Sequence, residues 1–369
     1  MKTSLEVEYW VVDDDGDLVA PDTLLDVSDR IDPEFVEPML ELKTTPCSSP
    51  TELRSEFHSL LADVVEAAHE RNRRLVPLAT PLCAAPSELP YREKRGTDVQ
   101  RRTVGPAFDD ARFCAGTHLH FEQSNVVDQL NALTAIDPAF ALVTSSSHYR
   151  GEPILPCARP YLYRRSCYAA CPDQGQLWPY VDSVDEWEAR LESAYEGFRE
   201  RALERGVDPD AFDAEFAPYD AVWTPVRLRA AMPTVEWRSP DTALPSQILQ
   251  LAEEVYSIVE RADAQGTVVE PPSLAADGGR RAVGHEQEGP VRLPPFDEVE
   301  AATDAAIHRG LADAGVRRYL RRVGLTPSAY QPLARRHPDT RLTKRQARTY
   351  RLDAASRLEL EVERHCVRV

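Results

Sequence analysis

Four short segments carry acidic or basic side chains at every second position. They are Leu5-Glu-Val-Glu8, Leu40-Glu-Leu-Lys43, Gly116-Thr-His-Leu-His-Phe-Glu122 and Val235-Glu-Trp-Arg238. Because side chains two apart in a β-strand share a face, each segment would place charged groups on one face and apolar groups on the other. The solvated face of an antiparallel sheet alternates in the same way, and for any one segment that simpler interpretation is preferred.

Taken together, the four segments favour a cation site. Solvated strand faces usually carry Thr, Ser, Lys and Gln, whereas these faces carry mainly groups that bind metals or phosphates. Clustered carboxylates repel one another unless a cation lies among them. Three or four carboxylates with one histidine suit Mg²⁺ or Mn²⁺, and the pair His118 and His120 keeps zinc open as a lesser alternative.

Arginines lie close to these acidic segments. Acidic residues interspersed with arginine are typical of phosphoryl-transfer centres, where metals bridge phosphate oxygens and arginine neutralises the developing charge. Arg227 and Arg229 would share one strand face, while Arg159, Arg164 and Arg165 are further candidates for binding a carboxylate or phosphate. Since the chain contains only four lysines among 43 basic residues, arginines are abundant, and any single one is more often a surface ion-pair former.

Periodicity predicts the elements that would position these residues. Strands are expected over 4–12, 36–44, 75–79 and 113–122, and two more within 221–238. Helices are expected from an N-cap at Ser49, over 126–146 and 184–204, after Pro245, and through most of 296–360. Arginine-rich residues 92–102 and the Gly- and Pro-rich residues 264–296 are expected to form loops. This irregular order predicts an α+β fold with a mainly antiparallel sheet.

We expect one compact unit with a helical addition. Residues 1–262 would form the catalytic sheet-and-helix core, 263–296 a loop or insertion, and 297–369 a helical part packed on the same domain. The sequence gives no sign of an oligomeric state.

The composition narrows the class of protein and its partners. The 369 residues have a formal net charge of −18, which argues against nucleic acid or anionic membrane as partners. The seven cysteines form no zinc or disulfide pattern, and no signal peptide or membrane span is evident, so we expect a cytoplasmic protein. An acidic, lysine-poor surface is expected in a salt-rich cytoplasm such as that of a halophilic archaeon, although a GC-rich genome would also favour arginine.

The order and spacing of the motifs resemble the glutamate–cysteine ligase family, in particular its carboxylate–amine ligase (type 2) branch. The similarity extends over about residues 4–260. Besides the first strand, it is carried by the segments Glu37-Pro-Met-Leu-Glu-Leu-Lys-Thr-Thr-Pro46, Gly116-Thr-His-Leu-His120, Ser145 to Arg165, and Pro233-Thr-Val-Glu-Trp-Arg-Ser-Pro-Asp241. Ser4 departs from the family pattern, which commonly has glycine there.

This resemblance implies a glutamine-synthetase-like fold, with a curved antiparallel sheet forming a funnel and helices outside. It implies that ATP phosphorylates the γ-carboxylate of glutamate and that an amine, with cysteine expected, attacks the acyl phosphate. The metal ligands implied are Glu6, Glu8, Glu41, His118 and Glu236. Arg238 would stabilise the phosphoryl group, with Glu236 beside it, and Arg165 would contact substrate or phosphate. We further predict that Lys43, His120, Arg227 and Arg229 contact the nucleotide.

Two other functions remain open from the residues alone. A metal-dependent hydrolase could use His118, His120 and a carboxylate to activate water, and zinc dependence without ATP would identify it. The second alternative is a non-catalytic relative that binds nucleotide or an amino acid. The small-molecule ligase, with ATP and Mg²⁺ (or Mn²⁺) as cofactors, is the leading hypothesis.

Overall fold

The computed structural model describes residues 1–271 and 289–366. Its main sheet has seven strands: β1 (Thr3–Asp13), β2 (Ile31–Pro33), β3 (Met39–Lys43), β4 (Arg73–Val76), β5 (Thr117–Glu122), β8 (Val226–Arg229) and β9 (Thr234–Trp237). Two short pairs lie outside it: β6 (His148–Tyr149) with β7 (Glu152–Pro153), and β10 (Thr267–Val269) with β11 (Val291–Leu293).

The seven-stranded sheet is open and antiparallel throughout. Its strand order is β2-β3-β1-β5-β9-β8, and β4 extends the sheet beside the far end of β1. The long strand β1 is central because it pairs with β3, β4 and β5. Its register places Glu6 opposite both Lys43 and His118, and Glu8 opposite Glu41. The pairing of β5 with β9 then places His120 opposite Glu236.

Helices pack against the apolar face of this sheet and extend around it. They are α1 (Pro50–Glu70), α2 (Arg95–Val104), α3 (Val126–Ile136), α4 (Ala158–Tyr161), α5 (Val184–Glu204), α6 (Pro209–Glu215), α7 (Pro218–Ala221), α8 (Pro245–Gln265), α9 (Phe296–Arg309), α10 (Ala314–Arg322) and α11 (Lys344–Cys366). Helix α1 begins at Ser49, whose hydroxyl accepts a hydrogen bond from the amide of Glu52 at 3.2 Å. Such a cap satisfies a backbone donor that the helix cannot satisfy itself.

One hydrophobic core joins the sheet to the helices. The apolar side chains at the odd-numbered positions of β1, from Leu5 to Val11, are fully buried together with Phe57 of α1, Leu133 of α3 and Val255 of α8. Each such side chain contributes about 1.5–3 kcal/mol to folding by leaving water. This core makes one face of the sheet apolar, so Glu6 and Glu8 take the opposite face. On that opposite face, Trp10 and Val12 farther along β1 belong to a second buried cluster.

The C-terminal helices contribute to the same core. Val299 and Ile307 of α9, Leu320 of α10 and Leu358 of α11 belong to the same buried cluster as the first strand. Within the ranges that the structure describes, no helix is both long and apolar enough to cross a membrane.

The predicted fold class is confirmed, since the structure combines a curved antiparallel sheet with helices packed outside it. The boundaries of α5 agree with the prediction for 184–204. The loop prediction for the arginine-rich segment was wrong, because 95–104 forms α2. Val99 and Val104 are buried on one side of this helix while Arg102 is exposed on another, so the charges mark the outer face of a helix.

Two further boundaries differ from the predictions. Strand β5 begins at Thr117 rather than at Phe113, because residues 106–113 form a 3₁₀ segment. The predicted loop over 264–296 is interrupted by β10 and β11, which pair in parallel; residues 272–288 of that loop lie outside the described residues.

Candidate active site

The charged face of the sheet gathers carboxylates and imidazoles from four strands. Among the described residues, side chains that could bind a metal form three groups, and within each group the ligand atoms lie within 4.8 Å of one another. The groups are Glu6, His120 and Glu236; Glu6, Glu41 and His118; and Glu8, Glu34 and Glu41. All five residues that the resemblance proposes as metal ligands therefore occur in these groups. Because the groups share Glu6 and Glu41, they form one continuous cluster.

Glu34 belongs to the cluster but was not predicted from the sequence. It follows β2 directly, and β2 pairs with β3 so that Asp32 lies opposite Glu41. The sequence around it, Asp32-Pro-Glu-Phe35, has no alternating pattern, so only the pairing of β2 with β3 reveals its place. A carboxylate two residues beyond Asp32 on a short edge strand carries no local signal of a metal ligand.

The imidazoles lie at the centre of the cluster. His118 Nδ1 is 3.2 Å from Glu6 Oε2 and 3.6 Å from Glu236 Oε1, and His120 Nε2 is 3.2 Å from Glu6 Oε2. Burial and the nearby guanidinium of Arg238 lower the pKa of His118, although its carboxylate neighbours oppose that shift. The neutral imidazole is the form that binds a metal ion.

The carboxylates of the β1–β3 side are more numerous than the cationic side chain beside them, Lys43, can balance. Burial and the neighbouring carboxylates Glu34 and Glu6 raise the pKa of Glu41 well above its usual range. Burial and Glu8 raise the pKa of Glu34 to about 8. Burial also acts to raise the pKa of Glu6, but its contacts with His118 and His120 outweigh burial and lower it. A bound cation would offset both the burial and the repulsion that raise the pKa values of Glu34 and Glu41.

Arginines surround the carboxylate at the β9 end of the cluster. Arg227 Nε hydrogen-bonds to Glu236 Oε2 at 2.6 Å, Arg238 Nε is 3.1 Å from Glu236 Oε1, and Arg229 Nη1 is 3.8 Å from Glu236 Oε2. Burial acts to raise the pKa of Glu236, but Arg227 and Arg238 outweigh it and keep the pKa low. Burial and Arg238 lower the pKa of Arg227 to about 10. Positive charge is therefore in excess at this end.

Two buried polar atoms of the cluster have no hydrogen-bond partner among the described residues. They are Glu236 Oε1 and His120 Nε2, each with its residue fully buried. An unpaired buried polar atom is costly, so Glu236 Oε1 is suited to bind an ion and His120 Nε2 to contact a bound ligand. Carboxylate oxygens with one imidazole in a group are ligands that Mg²⁺ and Mn²⁺ accept, so the residues present fit such an ion.

Two predicted site residues are placed differently from the rest. Lys43 lies at the edge of the cluster, where its Nζ pairs with Asp32 Oδ2 at 2.6 Å and Glu41 Oε2 at 3.0 Å. Arg165 is not brought into the cluster: its side chain is exposed, donates to Gln176 Oε1 at 2.6 Å and lies 3.7 Å from Asp304 Oδ1.

Comparison with curated proteins gives three relatives whose descriptions name a glutamate–cysteine ligase. No family model matches the chain. The chain is 27% identical over 255 residues to a protein of Jannaschia sp. described as "Putative glutamate--cysteine ligase 2", covering 65% of this chain and 60% of the relative. Relatives from Rhodococcus jostii and Paracoccus denitrificans with similar descriptions are 25% and 26% identical, over 66% and 64% of this chain and 63% and 60% of their own lengths. The chain thus aligns with about three-fifths of these curated relatives.

Two solved structures share the architecture. Glutamate–cysteine ligase of Francisella tularensis, in complex with AMP, superposes with a TM-score of 0.59 at 13% identity, covering 98% of this chain and 88% of that one. The chain has the fold of a glutamate–cysteine ligase. A bifunctional glutathione synthetase of Pasteurella multocida gives a TM-score of 0.57 at 13% identity, over 98% of this chain and 51% of that one. At this identity the likeness establishes the fold, and the activity is a separate question.

Proposed function

We propose that the protein is an ATP-dependent ligase that joins the γ-carboxylate of glutamate to an amine, with cysteine as the expected amine. The observation that supports this most strongly is the division of one sheet face into a carboxylate–imidazole end and an arginine end. A nucleoside triphosphate with its divalent cations needs both ends, because the cations bind carboxylates and the phosphates bind arginine. Similarity to relatives described as glutamate–cysteine ligases supports the same reaction.

In this proposal the cations are held by the cluster defined above. Mg²⁺, or Mn²⁺ in its place, would be bound by Glu6, Glu8, Glu34, Glu41, His118 and Glu236, and would neutralise the phosphate oxygens of ATP. The lowered pKa of His118 favours the imidazole form that binds metal, and the buried Glu236 Oε1, which accepts no hydrogen bond from the described residues, is suited to the same role. His120, Lys43 and Arg229 line the same face and are proposed to border the nucleotide.

Arg238 is proposed to hold the phosphoryl group in transfer. Its guanidinium lies beside Glu236, and its Cζ lies 5.6 Å from the centroid of the Trp223 ring. Its position is therefore defined on two sides. Arg227 is engaged with Glu236 and keeps that carboxylate ionised. Arginine in such a place stabilises the charge that develops on the transferring group without forming a covalent bond.

The proposed reaction has two displacements. A γ-carboxylate oxygen of glutamate bonds to the γ-phosphorus of ATP as the bond to ADP breaks. The amine nitrogen then bonds to the acyl carbon, loses a proton, and displaces phosphate. Because the protein supplies positioning and charge, no enzyme nucleophile is required.

The test is a substrate screen with product identification. Purified protein with ATP, Mg²⁺, glutamate and a panel of amines should yield ADP, phosphate and a product with the mass of a γ-glutamyl amide. Omitting glutamate or adding a chelator should abolish the product. If nucleotide binds without turnover for any amine, the non-catalytic alternative replaces the ligase.

The zinc hydrolase is the weaker alternative on geometry. Each described group that could hold a metal contains at most one histidine, whereas catalytic zinc sites commonly use two or three. Hydrolysis that requires zinc and proceeds without ATP would nevertheless overturn the ligase proposal.

A further inference from the structure

A buried polar network lies directly behind Arg238, on the other face of its strand. Side chains alternate along β9 and its continuation, so Glu236 and Arg238 face the site while Trp237 and Ser239 face away. Both outward groups donate to one carboxylate, Asp137: Trp237 Nε1 at 3.0 Å and the hydroxyl of Ser239. Asp137 is fully buried at the start of the 3₁₀ segment that follows α3.

Arg164 completes this network. Its Nη1 and Nη2 donate to the two oxygens of Asp137 at 2.6 and 3.0 Å, and Nη2 also donates to Ser239 Oγ at 2.6 Å. Arg164, like Asp137, is buried. A buried bidentate pair of this kind is geometrically specific, and its desolvation cost makes it a poor source of net stability. The pair is better explained by what it holds in place.

A second arginine of the same segment fixes the main chain at the same point. Arg159 Nη1 donates to the carbonyl oxygens of Arg238, Ser239 and Pro240 at 3.2, 3.0 and 3.2 Å. Its guanidinium lies so close to Gly116 that a Cβ there would come within 2.0 Å of Arg159 Nη2. Glycine at 116 is therefore what allows Arg159 to reach the strand.

The same segment also supports the Arg238 side chain. Tyr163 stacks on Trp223 with ring centroids 4.8 Å apart and an angle of 14°, and Trp223 lies under the Arg238 guanidinium. Arg159 and Arg164, which the sequence offered as substrate contacts, are thus both occupied by the strand that carries Arg238. Arg238, unlike these two arginines, faces the site, together with Arg227 and Arg229 of β8.

We propose that Asp137, acting through Arg164 and Ser239, is the positioning residue for Arg238. This inference rests on the proposed role of Arg238 in phosphoryl transfer. Asp137 touches neither substrate nor metal in this account. Asp137 accepts hydrogen bonds from Trp237 and Ser239. Because Arg238 lies between these two residues, its guanidinium is then directed at the site. A displacement of about 1 Å in a catalytic group can cost about a hundredfold in rate.

A double-mutant cycle tests the proposal. We expect Asp137→Asn and the milder Ser239→Ala to lower kcat by about 100-fold and about 10-fold while KM for ATP and glutamate changes less than about threefold. In an Arg238→Ala background the same substitutions should lower kcat by less than about twofold, because the group they position is gone. Arg199→Ala, which breaks an exposed pair with Asp213, is the matched control and should leave kcat unchanged.

Several outcomes would overturn it. Effects of Asp137→Asn and Arg238→Ala that multiply independently would show that Asp137 does not act through Arg238. A kcat equal to that of wild type in both Ser239→Ala and Asp137→Asn would also show that Asp137 does not position Arg238. If Asp137→Asn fails to fold, the cycle is run with Ser239→Ala, which keeps the Asp137–Arg164 pair.

Amide hydrogen exchange separates this inference from the proposed function. Should the wild-type protein show no glutamate-dependent turnover, the ligase proposal fails, and positioning is judged by exchange alone. Ser239→Ala should then speed exchange about tenfold in 236–240 while leaving 5–9 unchanged, since local opening follows local contacts. Unchanged exchange in 236–240, or equal acceleration in both segments, would contradict the positioning role.

Discussion

The two ends of the charged sheet face differ in the sign of their unbalanced charge. At the β1–β3 end, Glu8, Glu34 and Glu41 lie together, and the pKa values of Glu34 and Glu41 rise because the groups are buried and because neighbouring carboxylates repel them. At the β8–β9 end, Arg227, Arg229 and Arg238 surround the single carboxylate of Glu236, whose pKa is lowered.

This difference indicates what each end can bind. Carboxylates that repel one another are stabilised by a cation, and guanidinium groups in excess are stabilised by an anion. His118 and Glu6 lie at the junction, where the two kinds of ligand would meet. Substitutions at the two ends should therefore have separable effects on metal and nucleotide.

The largest effect is expected at the carboxylate end. Glu41→Gln should lower turnover at least about a thousandfold and weaken Mn²⁺ binding about 10–100-fold, because Glu41 belongs to two of the three ligand groups. Without metal the variant should melt at a higher temperature than wild type at neutral pH, because burial and neighbouring carboxylates disfavour the ionised form of Glu41 in the folded state. Titration calorimetry measures the Mn²⁺ affinity, and thermal unfolding with and without Mg²⁺ measures the change in melting temperature. Glu253→Gln on the surface of α8 is the control.

Arg238→Ala should have nearly as large an effect on turnover, through the other end. We expect kcat to fall about a thousandfold, as when an arginine that stabilises a transferring phosphoryl group is removed. Mn²⁺ affinity in the absence of nucleotide should not weaken, since a nearby positive charge has been removed. Equal loss of Mn²⁺ affinity in Arg238→Ala and Glu41→Gln would show that the two ends are one site.

The sequence predicted the parts of this site that follow strand alternation. Glu6, Glu8, Glu41, His118 and Glu236 lie at every-second-residue positions, and the antiparallel register brings them together. Alternation indicates which face a residue takes, but it does not reveal which strands are neighbours. Glu34 therefore escaped prediction, because its place depends on the pairing of β2 with β3. The roles of Arg159 and Arg164 were equally hidden, since their partners are carbonyl groups and Asp137, far along the chain.

Metal binding at Glu34 should be accompanied by proton release. The Glu34 pKa of about 8 means that this residue is largely protonated at pH 7 without a cation, and a metal ion can bind only the carboxylate form. Metal binding at pH 7 should therefore release protons, and the release should diminish above pH 9. Calorimetry in buffers of different ionisation enthalpy measures it. Glu34→Gln should reduce the release and weaken Mn²⁺ binding about tenfold; unchanged release would place Glu34 outside the metal site.

The smallest effect is expected for Arg165→Ala. The resemblance implies that Arg165 contacts substrate or phosphate, yet its exposed side chain contacts Gln176 and Asp304 away from the cluster. Exposed pairs contribute little, so we expect kcat and KM to change less than about threefold and stability by less than about 1 kcal/mol. A hundredfold loss of turnover with normal Mn²⁺ binding would instead show that Arg165 reaches the phosphate when substrates are bound. The arginine end would then include the segment after α4 as well as β8 and β9.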